Sequence, residues 1–369
     1  MNIQQELDWV CAQVEKNIQI FGENFPSACT LEGKYRIKPN DDWTNGFWTG
    51  ILWICYEYSK KDIFKQLAIK NGESFKKRLD DRFVVEHHDI GFLYTPSLVA
   101  QYKITNDKSC YEYSLKAADI LLERYQKKGK FIQAWGQLDA QDEYRFIVDS
   151  LINLPLLYWA FAMTNNSKYK EVADAHYQTV IKYGIRQDNT THHTYYFDKT
   201  TGAPLGGKTA QGFSDKSCWA RGQAWVILGS VLNNRFTPNS DNLTIFERVY
   251  QKYKSCLPQD KVPYWDLIFN EQSNQYHDSS AAAITLCALL ERKNQLQDTE
   301  YNNDIKQTMT SLITKYSARL NPKTQGLLEH GVYAYSAHKG INEANLWGDY
   351  FYVEALYRLY TNNEWKGYW

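Results

Sequence analysis

Six times along this chain a Gly, Asp or other small polar residue precedes a helical segment that is apolar on almost every side. The segments are NGFWTGILWICYEYS from Asn45, DIGFLYTPSLVAQYKI from Asp89, DSLINLPLLYWAFAM from Asp149, ARGQAWVILGSVLNN from Ala220, DSSAAAITLCALLE from Asp278 and LWGDYFYVEALYRLY from Leu346. A helix that is apolar all round has to be enclosed, whereas one with a charged face lies outside. Between the six lie amphipathic candidates rich in Lys and Glu, beginning near Gln5, Lys61, Lys108, Ser167, Asn242 and Glu300. Their alternation, at an irregular period of roughly 45 to 70 residues, predicts an all-α (α/α)6 barrel. Six inner helices are wrapped by six outer ones, and residues 1–369 form a single domain. An open helical array would leave a face of each inner helix in water, which these sequences do not support.

In such a toroid the inner helices run the same way, so their N-terminal ends collect at one mouth. An Asp ahead of one helix is ordinarily a cap that accepts hydrogen bonds from free backbone N–H groups. Carboxylates gathered from several starts, with Trp, His, Arg and Gln around them, are more than capping requires. The residues beside the starts are Asp42, Trp43 and Trp48; His87, His88 and Asp89; Asp149; Trp219, Arg221, Gln223 and Trp225; Asp278; and Trp347 with Asp349. Longer loops can add Trp135, Gln137, His193 and Gln211. Carboxylates for proton transfer, aromatic walls and a fixed guanidinium suit a site for an acidic sugar. Asp278, followed by Ser279 and Ser280, reads as a structural cap, and Trp48 and Trp225 fit the core as well as they fit a wall.

Composition narrows the partners. Lys plus Arg and Asp plus Glu number 42 each, so no overall field draws in nucleic acid or a membrane surface. Glu6, Asp8, Glu15 and Lys16 break any signal-type apolar run near the start, and no later stretch is apolar for a bilayer's width. The seven cysteines are scattered and odd in number, which points to a reduced, cytoplasmic setting. No CxxC, HExxH or HxxxH spacing occurs, so no metal site is expected. Strand signals are few; THHTYYFD at 191–198, followed by the turn KTTGAP, is the best hairpin candidate. Aromatic residues make up 15% of the chain, and their faces pack well against the C–H faces of sugars.

The stretches DDWTNGFWTGILW, HHDIGF, DSLINLPLLYWA, CWARGQAWVILG, DSSAAA and NLWGDYFYVEALYRL, in this order, resemble the unsaturated glucuronyl hydrolases of glycoside hydrolase family 88. The resemblance implies an (α/α)6 barrel that removes a 4,5-unsaturated uronic acid from the non-reducing end of lyase-generated oligosaccharides. The reaction it implies hydrates the C4=C5 vinyl ether and needs no metal or organic cofactor. Carried over by motif, the acid/base carboxylate is Asp149 and the second essential aspartate is Asp89. His88, His193, Gln211 and Arg221 would contact the uronate, and Trp43, Trp135, Trp219 and Trp225 would form the walls. Either His192 or His193 could stand at the histidine position. Members acting on sulfated disaccharides carry a Ser-x-x-Ser-x-Lys stretch where this chain has Ala334, Ala337 and Lys339, so one cation remains and two hydroxyls are absent.

Protonating a vinyl ether needs a carboxylic acid, yet a helix N-terminus favours the carboxylate. A second carboxylate nearby is the expected compensation, raising one pKa of the pair. Two other readings share these residues: an unsaturated rhamnogalacturonyl hydrolase acting on pectin fragments, and a non-catalytic sugar-binding protein on the same barrel.

Overall fold

The computed structural model describes residues 2–369. All twelve expected helices form. The inner set is Asn45–Ser59, residues 90–105, residues 148–164, Ala220–Phe236, Ser279–Leu296 and Leu346–Tyr360. The outer set is Ile3–Phe21, Asp62–Asp80, Lys108–Glu123, Ser167–Gly184, Ser240–Ser255 and Asn302–Ser311, the last continuing through Leu312–Tyr316. Patterning explains the division. Every residue of Ala220–Phe236 up to Asn234 is buried, whereas Ser240–Ser255 buries one face through Phe246, Val249, Tyr250 and Tyr253. Each inner helix touches the next, and Leu346–Tyr360 closes the ring onto Asn45–Ser59.

Small residues set the spacing at the mouth. A Cβ on Gly91 would lie 2.3 Å from the Cα of Asn153, and one on Gly46 would lie 2.3 Å from the carbonyl oxygen of Phe92. Asn153 also accepts a hydrogen bond from the N–H of Phe92 at 2.7 Å. Three successive inner helices are thereby drawn together where Asp89 and Asp149 emerge.

Two inner helices depart from the expected form. The Asp149 segment begins as a 3-10 turn, Val148–Asn153, and becomes α-helical at Leu154–Thr164, where Pro155 fits the first turn. The segment from Ile90 widens into a π-turn at Thr95–Val99, where Pro96 lacks the N–H that a regular turn would use.

The hairpin expected at 191–198 forms as Thr194–Phe197 paired antiparallel with Pro204–Lys208, and Arg145–Ile147 joins it as a third strand. Phe146 and Tyr195 stack on the inward face, 6.0 Å between centroids, which leaves Arg145 and Tyr196 on the other. A second hairpin, Gly331–Ala334 with Lys339–Glu343, has no alternating apolar signal and was not expected.

At the opposite end of the barrel, the stretch after Tyr360 folds back inside. Trp369 is 3% exposed, lies parallel to Phe351 at 5.8 Å, and donates from Nε1 to Glu354 at 2.9 Å. Arg235 donates to its carbonyl oxygen at 2.6 Å. No helix among the described residues is long and apolar enough to cross a membrane. All seven cysteines are free.

Candidate active site

Asp89 caps the helix from Ile90 without a side-chain cap bond, and Asp149 sits in the 3-10 turn of the next inner segment. Their carboxyl groups meet at one imidazole. His88 Nε2 is 3.3 Å from Asp89 Oδ1 and 3.7 Å from Asp149 Oδ1. His88 is held from behind, where its N–H donates to the carbonyl of Ala134 at 2.7 Å. His87 accepts the N–H of Asp89 on Nδ1 at 3.1 Å, with its Nε2 against the carbonyl of Val84 at 2.9 Å, so the ring fixes the backbone of Asp89.

Burial dominates the electrostatics. Asp149 is pushed well above the usual carboxylate range, first by burial and then by the charge of Asp89, while Arg221 and the nearby backbone N–H groups pull the other way. For Asp89 burial acts in the same sense, but the imidazoles of His88 and His87 and the guanidinium of Arg124 outweigh it and hold the carboxyl below its ordinary value. Burial depresses His88 to about 4 and His193 to about 3. At neutral pH both imidazoles are therefore uncharged, and of the two carboxyl groups Asp149 is the one disposed to keep a proton. Asp149 Oδ1 is buried without a hydrogen-bond partner, 3.7 Å from His88 Nε2, while the side chain as a whole is 15% exposed. One ligand-type atom from each of His88, Asp89 and Asp149 lies within 4.8 Å of the others, so these three are also where a cation would fit best.

The walls follow. Trp43 donates from Nε1 to the Tyr333 hydroxyl at 3.1 Å and stacks on Trp347 at 5.4 Å. Trp135 is 41% exposed with its edge toward His88, 6.5 Å between centroids, and Arg145 lies over its ring. His193 sits 4.5 Å from the ring of Trp219. Its Nδ1 accepts the N–H groups of Ala210 at 2.8 Å and Gln211 at 3.3 Å, which leaves Nε2–H as a buried donor without a partner. The sequence left His192 and His193 open; His192 packs instead against Tyr195. Lys339 stands on the second hairpin with its ammonium 4.1 Å above the Tyr333 ring.

Both Nη groups of Arg221 are committed to the protein. Nη1 donates to Asp278 at 3.3 Å and to the carbonyl of Val332 at 2.6 Å, and Nη2 donates to Gln211 Oε1 and to the carbonyl of Tyr333 at 2.8 Å. The guanidinium is sandwiched between Trp219 and Trp347, at 4.5 and 4.7 Å. All four Nη hydrogens are used, so the expected direct contact with a uronate is narrowed to the one remaining donor, Nε–H, and to the charge presented by the wall. Asp278 is structural as read: wholly buried, it caps its helix through the N–H of Ser280 and receives Arg221.

Trp225 is a second correction. It is 1% exposed, enclosed by Phe92 and Phe351 at 5.4 Å each, and belongs to the core. Trp48 is likewise core, against Phe21. Trp225→Ala should therefore cost about 3–5 kcal/mol of stability, read by chemical denaturation. Trp135→Ala should leave the denaturation midpoint in place and raise KM; the reverse pattern would exchange the two assignments. Sequence reasoning missed Tyr333, whose hydroxyl holds Trp43 and whose carbonyl holds Arg221, because it lies on the unforeseen hairpin.

The Glycosyl Hydrolase Family 88 model matches residues 17–368. The unsaturated chondroitin disaccharide hydrolase of Streptococcus pneumoniae is 46% identical over 371 residues, spanning 99% of this chain and 93% of that protein. The crystal structure of the unsaturated glucuronyl hydrolase from Bacillus sp. GL1 superposes with a TM-score of 0.95 at 39% identity, covering 100% of this chain and 99% of that one. A mutant of the Streptococcus agalactiae unsaturated glucuronyl hydrolase complexed with dGlcA-GalNAc6S gives 0.88 at 39% identity, covering 100% and 93%. A match that runs almost end to end, on a barrel whose mouth brings two carboxyl groups to one imidazole, has one consequence: this chain belongs to glycosyl hydrolase family 88 and is a glycosidase.

Proposed function

We propose that this chain, working as one catalytic domain over residues 1–369, removes the 4,5-unsaturated uronate from the non-reducing end of short lyase-generated oligosaccharides of the chondroitin type. The observation that carries the reading is the carboxyl pair at His88, in which burial and the charge of Asp89 both raise the pKa of Asp149 and so favour its protonated form. Asp149 delivers that proton to C4 of the vinyl ether, and water adds at C5. The carboxylate left on Asp149 takes a proton from that water and is restored. The adduct is a hemiketal at C5, whose ring opens to a C5 ketone and a C1 hemiacetal; collapse of the hemiacetal frees the hydroxyl of the acceptor sugar. Asp89 stays ionised, raising the pKa of Asp149 and countering positive charge at the ring during protonation.

His193 Nε2–H, without a partner, is suited to the uronate carboxylate or a ring hydroxyl, and Gln211, pinned by Arg221, supplies an amide beside it. Trp43 and Trp135 offer ring faces, Trp219 backs His193 and Arg221, and Arg221 balances the substrate's charge through space. Lys339 remains for an anionic acceptor group, but with Ala334 and Ala337 beside it sulfation is tolerated rather than selected. The free cysteines suit a cytoplasmic enzyme that receives imported fragments.

Loss of conjugated-alkene absorbance tests the reading directly. Unsaturated chondroitin disaccharide should be consumed whether or not it is sulfated. Turnover confined to an unsaturated rhamnogalacturonan disaccharide would move the substrate to pectin fragments, and binding without any loss of absorbance would leave a sugar-binding protein.

A further inference from the structure

The loop that carries Gln211 and the hairpin that carries Tyr333 meet again at their tips, where the Ser336 hydroxyl donates to the carbonyl of Ala210 at 3.2 Å. Rings in unbroken contact surround that junction. Tyr276 meets Tyr335 at 6.4 Å, Tyr335 stacks on Trp265 at 4.5 Å and 9°, and Trp265 and Phe269 both meet Phe213, at 6.3 and 5.2 Å. Trp265 is buried, but Phe213 is 58% and Tyr276 43% exposed, so the two ends of the row face solvent.

The row is held firmly. Asp266, wholly buried, accepts the N–H groups of Phe213 at 2.9 Å, Cys218 at 3.2 Å and Ile268 at 3.1 Å, with the Ser217 hydroxyl at 2.7 Å. One carboxylate thus fixes Phe213 and the backbone immediately before Trp219 and Arg221. The proposed chemistry uses none of these rings, and an exposed aromatic row of this kind is costly to leave in water unless something covers it.

We infer that this shelf is a subsite for pyranose units beyond the first acceptor sugar, so that longer unsaturated oligosaccharides bind better than the disaccharide. The inference rests on the reading under Proposed function for the occupant's identity. Two observations select a saccharide. The shelf is continuous with the mouth, because Phe213 lies two residues beyond Gln211 and Tyr335 two beyond Tyr333, both of which hold Arg221. Open phenyl and phenol faces on a rigid frame match the apolar C–H faces of pyranose rings and discriminate little between their substituents. Contacts this far from the reacting carbon act on ground state and transition state alike, so the gain falls on KM.

The test pairs wild type with a Phe213→Ala/Tyr276→Ala double variant, whose changes lie at exposed ends of the row. Wild type should favour an unsaturated chondroitin tetrasaccharide over the disaccharide by about tenfold in kcat/KM, through KM. The variant should lose that preference while keeping the disaccharide value. Equal kcat/KM for both substrates in wild type, or equal losses on both in the variant, would overturn the subsite. Turnover of neither substrate would count against the proposed function alone. The shelf is then read by calorimetric titration of the tetrasaccharide into the Asp149→Asn protein with and without the double substitution: weaker binding with it supports the subsite, unchanged binding overturns it. Light scattering supplies the last arm, since an oligomer that the double variant breaks apart would assign the row to a second copy of the chain and overturn the inference.

Discussion

Asp149→Asn lowers kcat by about 10³-fold or more while the unsaturated disaccharide still binds. The expected size follows from the work assigned to one group, proton delivery to C4 and proton recovery from water, where a single general acid or base contributes about 10²–10⁴-fold. Asparagine keeps the shape and removes only the titrating proton. The side chain's Oδ1 makes no bond to the protein, so the substitution leaves no buried partner stranded and the fold should hold. Stopped loss of alkene absorbance together with calorimetric binding would check both halves. A variant that still turns substrate over within tenfold of wild type would move the acid to another residue.

The second large effect concerns pH. The active form of Asp149 is the protonated one, present below its pKa and lost as pH rises through it. Burial and the charge of Asp89 both raise that pKa, burial more. In Asp89→Asn the second contribution vanishes and the first remains, so the alkaline limb of the kcat profile should move to lower pH without reaching the range of an exposed carboxyl. Activity at neutral pH should fall about 10²-fold, with partial recovery as the solution is acidified. Each pH unit of displacement corresponds to about 1.4 kcal/mol of interaction between the two carboxyl groups. A profile that drops uniformly without moving would mean that Asp89 acts on the substrate and not on the proton of Asp149.

The barrel was legible because its grammar is repeated. Six enclosed helices and six with a charged face leave few arrangements, and glycines such as Gly46 and Gly91 fall where neighbouring inner helices touch. The meeting of Asp89 with Asp149 was legible for the same reason, since parallel inner helices bring their starts together. What escaped was set by tertiary demands that leave no local pattern. The 3-10 entry at Val148–Asn153 follows from the close approach of Gly91 to Asn153, a contact 62 residues apart in sequence. The anchoring of Arg221 escaped because its four acceptors lie on three other segments, two of them backbone carbonyls without a residue signature. Trp225 sits one helical turn below Arg221, a position the sequence alone cannot distinguish from a wall.

Trp369 reaches up the barrel to the first turns of the inner helices, among Phe47, Phe92 and Phe351, and Phe92 follows Asp89 by a single turn. The ring is thus one that the centre of the molecule requires, supplied by a segment that follows all six inner helices in sequence. Without it the toroid would have a hollow beneath the very segment that carries Asp89, so Trp369→Ala should loosen that segment as well as lower stability, by about 3–5 kcal/mol.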